Sequence, residues 1–205
     1  MHVKLDDINV EEKLLYQCQF DFVRSIRHKP NAHPYPGNNE PGGMENPQWL
    51  IGFEYLSRLG LRFDLQTPWW HMREAYALAC AYPYTSIIIN HSGLPADRSI
   101  DGLHHWKQAM QRVSECPNVS IKISGICTPK NPWTVEANKW IVQTLIELFG
   151  ITRCMFASNF PVDKVCASFD EIYGGFEKIV ASFTHQEKDM LFRTNANRIY
   201  AMGLE

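Results

Sequence analysis

IIINHSGLP, residues 87–95, is a run of three isoleucines that ends on Asn90 and His91 and passes at once into loop-forming residues. β-Branched residues favour strands, and a short continuous apolar run is typical of a strand buried on both faces. In parallel α/β folds, ligands bind at the carboxyl ends of the strands. The stretch therefore predicts a buried strand that presents the His91 imidazole at an open rim.

Two further strand-like runs end on polar residues in the same way. Residues 119–123 are followed by Ser124 and Gly125, and the run at residues 155–160 carries Ser158 and Asn159 before a proline. Three polar strand ends in one parallel fold predict a single site at one edge of the sheet.

Strand-like and helix-like segments alternate along the rest of the chain, an order that predicts a parallel sheet. A Pro- and Gly-rich stretch at residues 30–43 interrupts the alternation and predicts a long functional loop. Expected strands are residues 3–5, 22–27, 61–66, 86–90, 119–124 and 153–158; expected helices include residues 10–20, 72–81 and 101–114, a helix opened by Asn46-Pro47, one opened by Asn131-Pro132 and one with a capping box at Thr184 and Glu187.

The polarity of the strands distinguishes two kinds of parallel sheet. Strands of an open doubly wound sheet are apolar throughout, whereas residues 61–66 and 119–124 alternate apolar and polar side chains. A closed (β/α) barrel explains the alternation, because one face packs on the helices and the other faces a small interior. This interior would hold Asp64 and Lys122 as a buried pair; the alternative is a half-exposed sheet edge.

The composition of the chain limits the classes of function that we expect for it. The chain has 205 residues, is 45% apolar and 20% charged, and has a net charge of -2. These values predict a soluble domain that acts on a small molecule, with no basic surface for nucleic acid and no membrane span. A cytoplasmic location is expected because the first residues lack the layout of a secretion signal. The six cysteines lack C-x-x-C spacing and are expected to be reduced structural thiols.

Four blocks together resemble one enzyme family: HSGLP at residues 91–95, IKISG at 121–125, RCMFASNFP at 153–161 and NANRIY at 195–200. The chain resembles the amidohydrolase-related (amidohydrolase 2) proteins, and is most similar to their sugar-lactone and dicarboxylate-lactone hydrolases. The resemblance covers nearly the whole chain. It implies a (β/α)8 TIM barrel with a hydrolytic site at the strand ends, which in some members holds a divalent metal such as zinc and in others holds none.

The resemblance also assigns roles to individual residues. His91 would end the sixth strand of the barrel and act as a base or as a partial metal ligand. Arg27 and His28 would end the fourth strand, Gln66 the fifth and Ser124 the seventh, which makes these four residues candidates for substrate binding. A metal site would need more ligands than His91, and His28 and Asp163 are the candidates for completing it.

The chain departs from the family at its beginning. The family's first strand carries a His-x-His pair, and the sequence has none. We therefore expect a single barrel domain over residues 1–205 that has about six of the eight units and is N-terminally truncated relative to the family. Unpaired strand edges would favour association into a homo-oligomer.

The second departure lies after the last strand, where Asn159 stands at the position of an aspartate in many relatives. Asparagine neither accepts a proton at neutral pH nor offers a charged metal ligand, but it can polarise a carbonyl. Asp163 is the nearest carboxylate that can substitute if the loop folds back. The alternative for Asp163 is a solvated position at the start of a helix.

Two functions are consistent with these residues. The first is a hydrolase in which water attacks a lactone or related cyclic ester, with His91, Asn159 and Asp163 as catalytic residues. The second is a catalytically silent barrel that binds a ligand or a like subunit. The absent His-x-His pair and Asn159 favour the second, whereas the intact His91 block favours the first.

Overall fold

A computed structural model describes residues 1–37, 40–128 and 131–204 and contains a parallel β-sheet. Its strand order is β1-β2-β3-β4-β5, so each strand pairs with the next one along the chain. The register joins Arg27 to Asp64 and Ile121 to Cys154. The strands are β1 (Ser25–His28), β2 (Arg62–Leu65), β3 (Ile87–Ile89), β4 (Val119–Ile123) and β5 (Cys154–Phe156). The expected parallel α/β sheet is confirmed, and five strands joined in series are consistent with an incomplete barrel.

Helices connect the strands. They are α1 (Val10–Cys18), α2 (Pro47–Arg58), α3 (Met72–Ala81), α4 (Ile100–Ser114), α5 (Val135–Phe149), α6 (Phe169–Ile179), α7 (His185–Asp189) and α8 (Asn195–Tyr200), with a π-helical turn at Met190–Thr194. Several begin as their sequences predict. Asn46 caps α2 by accepting from the backbone of Gln48 and Trp49, and Thr184 forms a capping box with Glu187 before α7.

One face of the sheet packs against the helices and forms the main hydrophobic core. Phe63 on β2 meets Trp49 and Phe53 of α2, with ring centroids 5.7 and 5.3 Å away, and all three side chains are fully buried. Ile87 and Ile89 of β3 belong to the same core. The predicted apolar face of the strands is therefore the helix-facing one.

The opposite face of the sheet carries a polar network. The Asp64 carboxylate accepts from Lys122 Nζ at 3.0 Å, from Ser25 Oγ at 2.5 Å and from the Tyr200 hydroxyl at 2.6 Å. Burial alone raises the pKa of the Asp64 carboxyl, but Lys122 and these hydrogen bonds hold it below its usual value. The expected pairing of Asp64 with Lys122 is confirmed.

The C-terminal helix α8 covers this face. Ile88, Met155 and Ile199 form a second apolar cluster beside the Asp64 network. The Asn195 amide donates to the carbonyl oxygens of Ile151 and Cys154, which fixes the start of α8 against β5. Helix α8 therefore covers this opposite face of the sheet, and Asp64 is only 6% exposed. A half-exposed sheet edge does not describe it.

Several element boundaries differ from the sequence prediction, and two of the differences have a visible local cause. The strand expected at residues 3–5 is reduced to one bridge, His2 to Arg27, because the chain turns at once with Asp7 N donating to Lys4 O. The helix expected from Asn131-Pro132 begins only at Val135, since Thr134 provides the N-cap by accepting from Ala137 N. In the described part of the chain, helices are too short or too polar to cross a membrane.

Candidate active site

Four side chains from four consecutive strand ends meet at the carboxyl edge of the sheet. Arg27 Nη2 donates to Gln66 Oε1 and lies 3.1 Å from His91 Nε2, and His91 Nδ1 lies 3.0 Å from Ser124 Oγ. We call Arg27, Gln66, His91 and Ser124 the strand-end cluster. The structure brings these four residues together, whereas His28 and Asn159, which were expected at the same site, make their contacts elsewhere.

The hydrogen bonds define the tautomer of His91. A guanidinium can only donate, so the Nε2 atom facing Arg27 must be the acceptor. The imidazole proton then lies on Nδ1 and is donated to Ser124 Oγ. In this state Nε2 would be the proton-accepting atom, and Arg27 occupies it.

The surroundings of His91 favour its neutral form. The residue is only 8% exposed, and burial followed by the positive charge of Arg27 lowers the pKa of its imidazole to about 4. Arg27 itself has free donors: its Nε and Nη1 atoms make no hydrogen bond to any other residue in the described ranges. A ligand carrying an anionic oxygen would find a neutral imidazole beside an available guanidinium.

The backbone that carries His91 adopts an uncommon conformation. His91, Ser92, Gly93 and Leu94 have consecutive φ values of 54°, 55°, 67° and 56°, a region that costs residues other than glycine free energy. Surrounding contacts hold it in place: Ser92 Oγ donates to Ser124 O, and Ser92 O accepts from Trp106 Nε1 at 2.8 Å. Sequence reasoning missed Ser92, although its position directly after His91 was the available signal.

Asn90 is a second residue that sequence reasoning passed over. Its side chain is 1% exposed, and its Nδ2 has no hydrogen-bond partner among the residues described. A buried donor without a partner costs free energy, and Asn90 directly precedes His91 in the chain.

Asn159 and Asp163 form a separate pair after β5. Asn159 Nδ2 donates to Asp163 Oδ1 at 2.7 Å, and Asn159 has a φ of 57°. Asp163 is 6% exposed and lies in a short 3-10 turn, so the solvated helix start considered for it is wrong and the loop does fold back. Burial raises the pKa of its carboxyl, an effect that the Asn159 amide partly offsets.

The pair lies at the same edge of the sheet as the cluster without touching it. β5 is two strands from β3, which separates their ends by about 10 Å at ordinary strand spacing. Within the described ranges, neither Asn159 nor Asp163 hydrogen-bonds to a residue of the strand-end cluster. A ligand would have to bridge the two groups.

His28 does not join the strand-end cluster. Its Nδ1 accepts from Trp49 Nε1 at 2.8 Å and faces Leu5 N at 3.3 Å, on the helix-facing side of β1. Burial lowers the pKa of this imidazole to about 4, with Asp6 opposing the shift. The expected grouping of His28 with Arg27 overlooked that adjacent residues of a strand point to opposite faces.

The residues around His91 do not fit a divalent metal. Its Nε2 faces the positively charged Arg27, and its Nδ1 bears the proton donated to Ser124. Within residues 1–37, 40–128 and 131–204, no group of three or more His, Cys, Asp or Glu side chains is arranged to hold a metal ion. His28, His91 and Asp163 in particular do not converge.

A disulfide joins the segments that flank the Asn159–Asp163 pair. Cys127, just after β4, is bonded to Cys166, just after the turn that contains Asp163. This bond corrects the expectation that all six cysteines are reduced thiols. Sequence spacing did not reveal it, since 39 residues separate the two positions.

A cavity of about 880 Å³ lies away from the strand-end cluster, between α3 and α4. Trp69, Trp70 and His105 are among the residues that line it. Trp49 and Trp106 are instead fully buried in the core. The polar strand-end groups and the aromatic cavity are therefore separate features.

Comparison with known proteins identifies the family. The family model described as amidohydrolase matches residues 3–202. The chain is 40% identical over 198 residues to protein y4mH of Sinorhizobium fredii, covering 94% of the chain and 65% of that protein. It is 29% identical over 166 residues to L-fucono-1,5-lactonase of Burkholderia multivorans, covering 75% of the chain and 54% of the lactonase. The chain thus spans between half and two thirds of the length of these curated relatives.

Solved structures share the fold. An amidohydrolase from Burkholderia multivorans with bound HEPES superposes with a TM-score of 0.83 at 21% identity, covering 97% of this chain and 71% of that one. A 2,6-dihydroxybenzoate decarboxylase from Rhizobium superposes with a TM-score of 0.61 at 16% identity, covering 99% and 70%. Because these two structures are only 21% and 16% identical to the chain, they support its fold and leave its reaction open. The family match over almost the entire chain, on a TIM-barrel-type parallel sheet, identifies this protein as a member of the amidohydrolase family.

Proposed function

We propose that the protein is a hydrolase that opens a lactone or related cyclic ester of a small sugar acid or carboxylic acid. The supporting observation is the strand-end cluster, in which a neutral His91 lies between an available guanidinium and a hydroxyl. Lactonase-named relatives at 29% and 30% identity favour this reaction over others in the family. We further propose that the whole chain forms one barrel domain and works in the cytoplasm.

Substrate binding would begin at Arg27. Its fork of N–H donors suits a carboxylate or a pair of hydroxyls, and Nε and Nη1 are available. An anionic substrate that draws the guanidinium toward itself frees His91 Nε2. Binding and activation of the base are then one event.

Hydrolysis would follow from the freed imidazole. His91 Nε2 takes a proton from water as the water oxygen bonds to the carbonyl carbon, and the Nδ1–H bond to Ser124 Oγ keeps the ring oriented. The ring C–O bond then breaks, and the proton on His91 passes to the leaving alkoxide. The product is the open-chain hydroxy acid.

The developing oxyanion needs donors. We assign this role to the Asn159 carboxamide, which Asp163 orients through the 2.7 Å hydrogen bond, with Ser124 and the unpartnered Asn90 Nδ2 as further donors. Asp163 thereby acts as a positioning residue for Asn159. Gln66 holds Arg27 in reach of the same space.

The experiment is hydrolysis of a panel of aldono-1,5-lactones, including L-fucono-1,5-lactone, followed with a pH indicator above the spontaneous rate. Wild type is compared with His91→Ala and with His104→Ala, which alters an exposed histidine of α4. We expect His91→Ala to lose at least about 100-fold, as removal of a general base does, and His104→Ala to match wild type. If wild type and His91→Ala stay at the spontaneous rate, with or without added Zn²⁺ or Mn²⁺, the proposal fails.

A second candidate is a silent barrel that binds such a ligand without turnover. The contact between Arg27 and His91 Nε2 favours it, because a base blocked by a cation is inactive unless the substrate moves that cation. Calorimetric binding of an aldonate to wild type, with loss of binding in Arg27→Gln and no lactonase activity, would support this alternative.

A further inference from the structure

We propose that Cys80 and Cys116 form a reversible dithiol site that low-molecular-weight disulfides convert to an intramolecular disulfide. Their sulfur atoms lie 3.8 Å apart although the residues are 36 positions apart in the chain. Both are free cysteines, and the chain holds its Cys127–Cys166 disulfide elsewhere. A disulfide has a sulfur separation of about 2.05 Å, so side-chain rotation has less than about 2 Å to close.

The two thiols differ in accessibility. Cys80, in the last turn of α3, is exposed and can meet a reagent in solution. Cys116, between α4 and β4, is buried. An exposed sulfur beside a buried one is the arrangement of an attacking and a resolving thiol.

Tyr76 lies beside Cys80, and Arg112 lies beside Tyr76 in turn. The Tyr76 phenol interacts with Cys80, and the Arg112 guanidinium lies 4.3 Å from the centre of the Tyr76 ring. Glu115 is a nearby opposing charge. On the other side, burial raises the pKa of the Cys116 thiol to about 11. Cys116 is therefore protonated at neutral pH, and Cys80 is the sulfur that a reagent in solution meets first because it is the exposed one.

The chemistry balances with oxidised glutathione as the oxidant. The Cys80 thiolate attacks one glutathione sulfur, the glutathione S–S bond breaks, and one glutathione thiolate leaves. Cys116 then loses its proton to that thiolate and attacks the Cys80 sulfur, which releases the second glutathione. Two protein thiols are oxidised to one disulfide while one oxidised glutathione is reduced to two thiols.

The site lies at the amino ends of the strands, away from the strand-end cluster. Cys116 precedes β4 and Cys80 lies at the end of α3, before β3, whereas His91 follows the carboxyl end of β3. A bond here would tie the end of α3 to the segment leading into β4. We expect it to raise the melting temperature by several degrees, because it closes a long loop of the unfolded chain.

The test uses the full chain carrying Cys18→Ser, which removes the other exposed free cysteine. The protein is equilibrated with graded ratios of oxidised to reduced glutathione and digested under non-reducing conditions for mass spectrometry. We expect a Cys80–Cys116 linked peptide, loss of two free thiols, a higher melting temperature and reversal by excess reduced glutathione. Adding Cys80→Ser to this protein should abolish the linked peptide, the loss of two thiols, the rise in melting temperature and its reversal. It should not unfold the protein, since position 80 is exposed.

Cys116→Ser provides the second control: it should trap glutathione on Cys80 as a stable mixed disulfide. The proposal is overturned if Cys80 of the Cys18→Ser protein stays glutathionylated without linking to Cys116. A disulfide that joins Cys80 of one chain to a second chain would also overturn the proposal.

Discussion

A Cβ atom on Gly125 would lie 2.7 Å from Cβ and 2.9 Å from Cγ of His91, so the backbone after β4 forms one wall of the imidazole's position. Gly125 has a φ of 59°, and Ser124 beside it holds His91 Nδ1. The dipeptide after β4 therefore orients the histidine presented by β3, one residue by hydrogen bonding and the other by leaving room. The two motifs noted in the sequence form one structural unit.

We expect Gly125→Ala to destabilise the protein and to displace His91. The matched control is Gly60→Ala, since Gly60 has a φ of 66° but a Cβ added there would meet nothing within 4 Å in the described part of the chain. Left-handed strain alone costs about 1–2 kcal/mol in both variants, and Gly125→Ala adds the clash. Chemical denaturation should show a larger loss of unfolding free energy for Gly125→Ala than for Gly60→Ala. Equal losses would mean that His91 and its surroundings shift to accommodate the added methyl group.

Arg27→Gln should raise the pKa of His91. Burial is the first cause of the low value of about 4, and the Arg27 charge is the second, so the pKa should rise only part of the way toward 6.5. Titration of the imidazole by NMR measures this shift directly. Arg58→Gln, an exposed change on α2, should leave the His91 titration unchanged. An unaltered His91 pKa in Arg27→Gln would contradict the contact between Arg27 and His91.

Stability should fall as the pH drops from about 6.5 to about 4. The folded-state pKa values of His28 and His91 lie near 4, below the ordinary histidine value of 6.5, so the unfolded chain binds more protons in this window. Their contribution is complete above pH 6.5 and is lost as the pH falls toward 4. Unfolding free energies measured across this range should depend less on pH in His91→Gln than in wild type; parallel curves would argue against a buried neutral His91.

Lys122→Met should destabilise the protein by about 3 kcal/mol, because it leaves the buried Asp64 carboxylate without its cation. The side chain of Lys122 is 23% exposed and that of Asp64 is 9% exposed. Because solvent reaches Lys122, the loss of stability should lie at the lower end of the range for a broken buried ion pair. Tyr200→Phe removes one hydrogen bond from the same carboxylate and should cost about 1–2 kcal/mol. Lys139→Met, on the exposed face of α5, serves as the control and should be nearly neutral. Denaturant midpoints provide the comparison.

Self-association is the remaining prediction. The described sheet runs from β1 to β5 without pairing its two ends, and unpaired edges favour assembly. Light scattering coupled to size exclusion should give at least twice the chain mass. A monomer across the accessible concentration range would refute the expected homo-oligomer.

Local patterns in the sequence were sufficient for the order of the elements. The expected helix at residues 72–81 coincides with α3, Asn46 and Thr184 cap the helices they were expected to cap, and the strand ends carry Arg27, His91 and Ser124 to one edge. Hydrophobic periodicity and capping act between residues a few positions apart, so a sequence read in short windows contains them.

Tertiary packing alone revealed which groups meet. Tyr200 hydrogen-bonds to Asp64 across 136 residues, and Cys127 reaches Cys166 across 39, and neither position carries a local signal for its partner. His28 and Arg27 are neighbours in sequence yet face opposite sides of β1. A side chain's face depends on strand register, and a shift of one residue reverses it. The strand-end histidine was visible in the sequence, but its neutral state and its contact with Arg27 arise only when four strands align.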